Sequence, residues 1–264
     1  MYEDEAWQLH RHEIEGRLIH RCRDEWGEIW VVDHDHRRKL MFGSPFEQSC
    51  LDLTAPHRPL HEYARGILLA LGFVEPLRVV MLGLGGGALI HSILHAYPSA
   101  SFQVVELRSL VVDVARQYFF LPSTEAVNID LQDARAAIRT LQSDSADLLI
   151  ADLFYHSSMH PLQRQGKFFS QCHRILGPEG WLAINFDRPE SIQEGDMAAL
   201  QRLFPTVLIY VTEDGNHIVL AGKGEPTSDL TERPPGRLAF LEGRLGVPFL
   251  PMFRRLRCID AMEG

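Results

Sequence analysis

Residues Arg78 to Glu106, RVVMLGLGGGALIHSILHAYPSASFQVVE, constrain this chain more than any other stretch. The apolar run Arg78–Leu82 reads as a buried strand, and Gly83, Gly85, Gly86 and Gly87 follow it directly. A turn this tight needs residues without a Cβ where φ is positive or where a ligand approaches the backbone. Ala88–Tyr97 then carries Leu89, Ile93 and Leu94 at helical spacing, so a helix begins at the turn with free N–H groups. Phe102–Val105 reads as a second strand. Glu106 closes it about 20 residues after the glycines, where an acid meets ribose hydroxyls in such units. The segment predicts the first half of a nucleoside-binding βαβ unit; the competing explanation is that the glycines only permit close helix–strand packing.

Strand and helix signals continue beyond it. A helix at Ser109–Phe119, opened by a Ser109 cap, leads to strand Val127–Leu131. Helix Ala134–Leu141 precedes the doubly buried strand Ala146–Ala151. Helix Gln163–Leu176 stops at Gly177-Pro178 before strand Trp181–Phe186. Thr206–Val211 and His217–Ala221 flank Glu213-Asp214-Gly215-Asn216, a turn short enough for an antiparallel hairpin. A parallel sheet finished by a reversed hairpin resembles the S-adenosylmethionine-dependent methyltransferase fold. The expected class is therefore α/β, a Rossmann-like doubly wound sheet. In front of it, runs at Glu13–His20, Glu28–Asp33, Lys39–Phe42 and Gln48–Leu53 predict a small antiparallel β domain, residues 1–55. A helical connector over Pro56–Gly72 opens the nucleoside-binding domain, residues 56–222. A proline-broken C-terminal extension, 223–264, contains one short helix at Leu238–Leu245.

Composition narrows the function. A net charge of −9 over 264 residues argues against a general nucleic-acid binder, which needs a basic face for phosphates. The four cysteines form no CxxC pair, the N-terminus lacks an apolar signal region, and no apolar run approaches the ~20 residues of a membrane span. These features predict a cytoplasmic protein with reduced thiols and no membrane contact. Among the 13 histidines, His34/His36, His57/His61, His91/His95 and His156/His160 have ligand-compatible spacing, but no second cluster completes a site, so no metal is expected. His91 and His95 are placed on the outer face of their helix.

Three acids fall at successive strand ends: Glu106, Asp133 and Asp152. Ligands of open α/β sheets bind at that edge, so the three should converge. Glu106 suits ribose hydroxyls, Asp133 an adenine amino group, and Asp152 the transferred group. Each could instead be a helix cap or a solvated loop residue, Asp133 above all.

The ordered set Tyr63, G-L-G-G-G from Gly83, V-V-E ending at Glu106, Gln132-Asp133-Ala134, Ala151-Asp152 and the Gly177-Pro178-Glu179-Gly180 turn resembles the spermidine synthase, or polyamine aminopropyltransferase, family. The resemblance spans roughly residues 28 to 222, including Glu47-Gln48-Ser49 where the family has a strand ending in glutamine. It implies aminopropyl transfer from decarboxylated S-adenosylmethionine to a small-molecule amine acceptor, and a homodimer. It further implies that Gly83, Gly85, Gly86, Gly87, Glu106, Asp133 and Ala134 hold the nucleoside, that Gln48 and Tyr63 lie near the sulfur, and that Asp152 accepts the acceptor's proton.

Two departures alter the amine half. Gly86 stands where the family carries an aspartate for the aminopropyl ammonium, and Tyr155 stands where it carries a second acid, so Tyr155 joins Asp152 in the predicted catalytic set. His156 follows closely and could face the crevice as a second base, or lie in an exposed loop. Loss of the aspartate at 86 also removes the repulsion against a methionine carboxylate, which opens S-adenosylmethionine itself as donor. The alternatives are a small-molecule methyltransferase and a nucleoside-binding protein without catalysis. The two departures predict a poor putrescine aminopropyltransferase, and a turnover that rises when an aspartate is restored at position 86 would support that reading; Asp187, after the fifth strand of the sheet, is the best-placed acid to compensate, or else a plain loop residue.

Overall fold

Apolar alternation in the first region does pair antiparallel, in the order β1 (Arg17–Asp24), β2 (Gly27–His34), β3 (Arg37–Met41), β4 (Glu47–Asp52). The computed structural model describes residues 10–155, 159–187, 194–224 and 233–259. β1 begins at Arg17 rather than at Glu13. Gly16 turns the chain with φ 129°, and a Cβ there would lie 2.5 Å from the Asp33 carbonyl oxygen, so pairing starts only at Arg17 with Asp33. Ile14, left outside the strand, packs with Trp30, Val32 and Met41 on one face of the sheet.

The connector forms α1 (Glu62–Leu68) and a 3-10 turn, Leu69–Gly72. There follow β5 (Arg78–Leu82), α2 (Ala88–Ala96), β6 (Ser101–Glu106), α3 (Ser109–Tyr118), β7 (Val127–Leu131), α4 (Ala134–Thr140) and β8 (Ala146–Ala151). A 3-10 turn at Pro161–Arg164, α5 (Gly166–Ile175), β9 (Leu176–Phe186), α6 (Glu194–Leu203), β10 (Thr206–Val211) and β11 (His217–Gly222) complete the expected alternation. Together with β12 (Arg257–Cys258) the strands form one sheet in the order β12-β10-β11-β9-β8-β5-β6-β7. β5 to β9 run parallel, and β11 of the hairpin β10–β11 pairs antiparallel with β9. The methyltransferase-type class expected from the sequence is the one observed.

Some boundaries move for local reasons. Ser109 does not cap α3: Arg108 is the capping residue, its side chain makes no cap bond, and its N–H goes to the Glu106 carboxylate instead. α5 starts three residues late because Gln165 is extended after the 3-10 turn. β9 starts at Leu176, pairs there with Ala146, and passes an irregular step before Trp181 meets Leu148. In the third region α7 (Arg233–Leu245) is longer than the Leu238–Leu245 expected, and α8 (Leu250–Phe253) follows. Leu238, Leu241, Leu245 and Phe249 join the main core. Among the described residues no helix is long and apolar enough to cross a membrane.

α3 carries apolar residues on two sides. Val112 and Ala115 face the core of the large sheet, while Val111, Val114 and Phe119 pack against Ile29, Val31, Leu40 and Leu51 of the small one. A buried clasp at its start ties the two sheets. Arg108 donates through Nε and Nη2 to the Asp24 carboxylate at 3.0 and 2.9 Å, and through Nη2 to the Gly27 carbonyl at 2.9 Å, with Phe42 under the guanidinium. Removing one partner of a buried pair strands the other charge, so Arg108→Ala should lower the unfolding free energy by about 3 kcal/mol. Urea unfolding checks this, and a midpoint equal to wild type would mean the clasp is dispensable.

Candidate active site

Beyond the carboxyl ends of β5, β6, β8 and β9 lies a cavity of about 500 Å³. The turn after β5 forms its floor. Gly83 has φ 92°, and a Cβ there would collide with the Asp152 carbonyl oxygen, so the turn and the end of β8 can approach only through a glycine. Gly83, Leu84 and Gly85 line the cavity.

Gly86 and Gly87 were expected beside them, and neither lines it. A Cβ on Gly86 would lie 2.9 Å from both the Phe119 ring and the Ser49 hydroxyl, because the end of α3 and strand β4 close over that position. An aspartate at 86 therefore requires the buried Phe119 ring and the Ser49 side chain to give way. Gly87 ends the turn as the left-handed residue before α2.

Glu106 is buried at the end of β6. Its Oε2 accepts from Leu84 N at 3.0 Å and its Oε1 from Arg108 N at 2.9 Å. Burial pushes its carboxyl above the ordinary range, and the backbone N–H groups of Arg108, Leu84 and Leu107 and the Arg108 charge oppose the shift. Asp133 is a helix cap: Oδ1 accepts from Arg135 N at 2.6 Å at the start of α4. It nevertheless borders the cavity next to Gln132 and Ala134.

Asp152 follows β8, surrounded by protein with its carboxylate edge opening on the cavity. Its Oδ1 accepts from Asn185 Nδ2 at 2.9 Å. Burial pushes the carboxyl up to about 6, against the Asn185 bond and the nearby His61. Tyr63 lies beside it and donates its hydroxyl to the Gln48 carbonyl at 3.1 Å; burial and the Asp152 charge raise its own proton affinity well above the usual tyrosine range. Gln48, Tyr63 and Tyr155 all line the cavity. Tyr155 is exposed at the rim and packs on the His160 ring at 4.7 Å. His156 lies outside the described residues.

Several cavity residues escaped the sequence reading. His61 faces Glu47 at 3.4 Å, and Lys39 Nζ lies 2.6 Å from the other Glu47 oxygen; together they hold that carboxyl at about 2 despite burial. Asn185, Asn216, Asp214, Trp26, Phe42 and Phe46 also contribute. Asp187, expected as an amine anchor, does border the cavity, with Oδ2 accepting from Met159 N at 3.2 Å. The only signal for His61 was its spacing from His57, which pointed to a metal. In the fold His57 stacks instead on His95 at 3.9 Å. His91 is not on an outer face: its Nε2 meets the Phe119 carbonyl at 2.8 Å where the end of α3 lies against α2. Glu47, Cys50 and His61 do bring three donor atoms within 4.8 Å of one another. Lys39 already neutralises Glu47, and burial pushes the Cys50 thiol up to about 12, so the group is built as an ion pair rather than as a thiolate ligand set.

Residues 80–184 match the family described as Methyltransferase domain. A polyamine aminopropyltransferase from Chromobacterium violaceum is 28% identical over 240 residues, covering 87% of this chain and 89% of that one. A probable spermidine synthase from Corynebacterium glutamicum superposes with a TM-score of 0.75 at 22% identity, over 93% of this chain and 91% of the other. The human methyltransferase-like protein 13, in complex with SAH, superposes with a TM-score of 0.60 at 20% identity, over 77% of this chain and 97% of its own.

The raised Asp152 carboxyl has a cost that can be measured. Its ordinary value of 3.8 rises to about 6 in the fold, so the stability it contributes is full below 3.8 and is lost as the pH rises through about 6. Asp152→Asn should therefore stabilise the protein by about 2 kcal/mol at pH 8 and much less at pH 4. Urea unfolding at the two pH values tests this, and equal changes at both would show that the carboxyl is not destabilised by the fold.

Proposed function

We propose that this chain, a divergent member of the spermidine synthase family, transfers an aminopropyl-type alkyl group from an adenosyl sulfonium donor to a small-molecule amine. The observation that carries the reading is the charge of the cavity. Six carboxylates line it, Glu47, Glu106, Asp133, Asp152, Asp187 and Asp214, of which Glu47 is already neutralised by Lys39. Its one arginine, Arg108, is already clasped by Asp24. Such a cavity favours a cationic sulfonium, a donor chain ending in an ammonium, and a cationic acceptor. Among the described lining residues no arginine or lysine is left for a methionine carboxylate, which supports decarboxylated S-adenosylmethionine over S-adenosylmethionine as donor.

The assignment of roles follows from position. Glu106, with Leu84 and Arg108 N–H groups already on it, takes the ribose hydroxyls. Asp133 and Ala134 border the adenine, and the Gly83–Gly85 turn underlies the sugar. Gln48 and Tyr63 flank the sulfur. Asp152 takes a proton from the acceptor nitrogen as that nitrogen forms a bond to the carbon next to the sulfonium. The carbon–sulfur bond breaks, its electron pair stays on sulfur, and a neutral thioether nucleoside leaves. A base of about 6 is ionised at neutral pH and still suited to receive the proton. With position 86 closed, Asp187 and Asp214 are the carboxylates open to the amine end, and Tyr155 forms its rim.

The reading takes the protein as a cytoplasmic homodimer, with residues 1–55 as an N-terminal β domain, that engages neither nucleic acid nor a membrane; the net charge of −9 supports the first exclusion. No step requires a metal.

Glu106→Ala should weaken methylthioadenosine binding by about 2–3 kcal/mol, as for loss of a charged acceptor. Calorimetry returning wild-type affinity would remove Glu106 from the nucleoside site. A radiolabelled assay with decarboxylated S-adenosylmethionine and a panel of amines, putrescine included, tests the chemistry. Product should form with at least one amine, kcat/KM should fall tenfold per unit as the pH drops below about 6, and Asp152→Asn should abolish turnover. Gly86→Asp should lower stability and leave turnover no higher. No product from any amine, or product only from S-adenosylmethionine as methyl donor, would overturn the reading.

A further inference from the structure

The Asp152 carboxylate is held by a chain of amides that begins in the β10–β11 turn, at the same edge of the sheet. Asn185, in the last turnless stretch of β9, is 2% exposed, and its main chain is fixed by pairing with Ile218 of β11 and by a bond from Gln163 Nε2 to its carbonyl at 3.0 Å. Its Nδ2 donates to Asp152 Oδ1 at 2.9 Å, and its Oδ1 accepts from Asn216 Nδ2 at 2.9 Å. Asn216 sits in the β10–β11 turn, itself locked. Thr212 Oγ1 accepts from Asn216 N at 2.8 Å, and Glu62 of α1 accepts from Glu213 N at 2.8 Å and from the Tyr210 hydroxyl.

The polarity of this chain is forced. An ionised carboxylate only accepts, so Asn185 must turn its amino group toward Asp152 and its oxygen toward Asn216. Oδ1 is thereby committed as an acceptor. Oδ2 has no hydrogen-bond partner among the described residues, although the carboxylate borders the cavity. We propose that Asn185 and Asn216 are positioning residues that divide the labour of the Asp152 carboxylate, fixing Oδ1 and reserving Oδ2 as the atom that receives the acceptor's proton. This rests on the transferase reading above.

If Oδ1 is held by a donor, a proton arriving on the carboxyl settles on Oδ2 without breaking the chain. If the chain is cut, the carboxyl rotates and either oxygen can carry the proton. The other groups near Asp152 are His61, before α1, and Tyr63, on α1; neither belongs to the chain, and both stay in place when it is cut.

The test uses the full-length protein. Asp residues are labelled with ¹³C at the carboxyl, the Asp152 signal is assigned through Asp152→Asn, and it is titrated in wild type, Asn185→Ala, Asn216→Ala and the double variant. Asn185→Ala should raise the Asp152 midpoint by about one pH unit, since a bond to the charged form is lost. Asn216→Ala, in the turn and less exposed to folding failure, should raise it by a smaller amount, and that rise should vanish in the Asn185→Ala background, because the second amide acts only through the first. The acid limb of the kcat/KM profile should move with the NMR midpoint while the donor KM stays near wild type. An unchanged midpoint in folded Asn216→Ala, or an Asn216 effect that persists without Asn185, overturns the relay. Because the titration is read on the free protein, midpoints that shift as expected without amine transfer would leave the relay standing and overturn the transferase reading instead.

Discussion

The carboxylate of Glu106 is the point on which the nucleoside edge of this molecule depends. One oxygen takes the N–H of Leu84 and so pins the glycine turn; the other takes the N–H of Arg108 and so starts α3. The same arginine then reaches Asp24 and Gly27, which seats the small sheet on α3. Burial of the carboxylate is expensive, and the backbone donors of Arg108, Leu84 and Leu107 offset part of that expense. A neutral residue here would leave two buried N–H groups unpaired, which is the larger penalty.

Two other buried acids solve the same problem differently. Glu47 is flanked by His61 and Lys39, which drive its carboxyl down to about 2 and make it a permanent anion. Among the described residues Asp152 has one amide donor and the nearby His61, so burial wins and its carboxyl is pushed up to about 6. On the transferase reading, the proton acceptor is thus placed where compensation is incomplete. The instability this causes is local to the cavity, while the apolar clusters on both faces of the sheet carry the fold.

How much of this could be read from the sequence follows from how local each signal is. Strands β5, β6 and β8 were legible because buried parallel strands are near-continuous apolar runs, whereas the edge strand β7, VNIDL, is half exposed; the acids Glu106, Asp133 and Asp152 end or follow β6, β7 and β8 within two residues. The hairpin after β9 was legible from a four-residue polar turn. Ser109 misled because a serine before an apolar run is a good cap only when nothing else claims the first N–H, and here Glu106 does. His61, Asn185 and Asn216 were not legible. Each is an ordinary polar residue in its own segment, and their juxtaposition exists only once β9 lies between β8 and β11.

On the transferase reading, the packing at position 86 requires the amine end to be met from elsewhere. A side chain there would point at Phe119 and Ser49, so the contact between the small sheet, α3 and the glycine turn is tighter than an aspartate allows. Phe119 is wholly buried and its carbonyl also meets His91, so the closure is supported from two sides. A carboxylate lost from the turn cannot be regained at that place without loosening the seat of the small sheet. The carboxylates at Asp187 and Asp214 lie instead on the β9 and β10–β11 side, next to the amides that hold Asp152. Recognition of a cationic chain and control of the base would then be gathered on the same hairpin, and the floor of the cavity is left to hold the nucleoside alone.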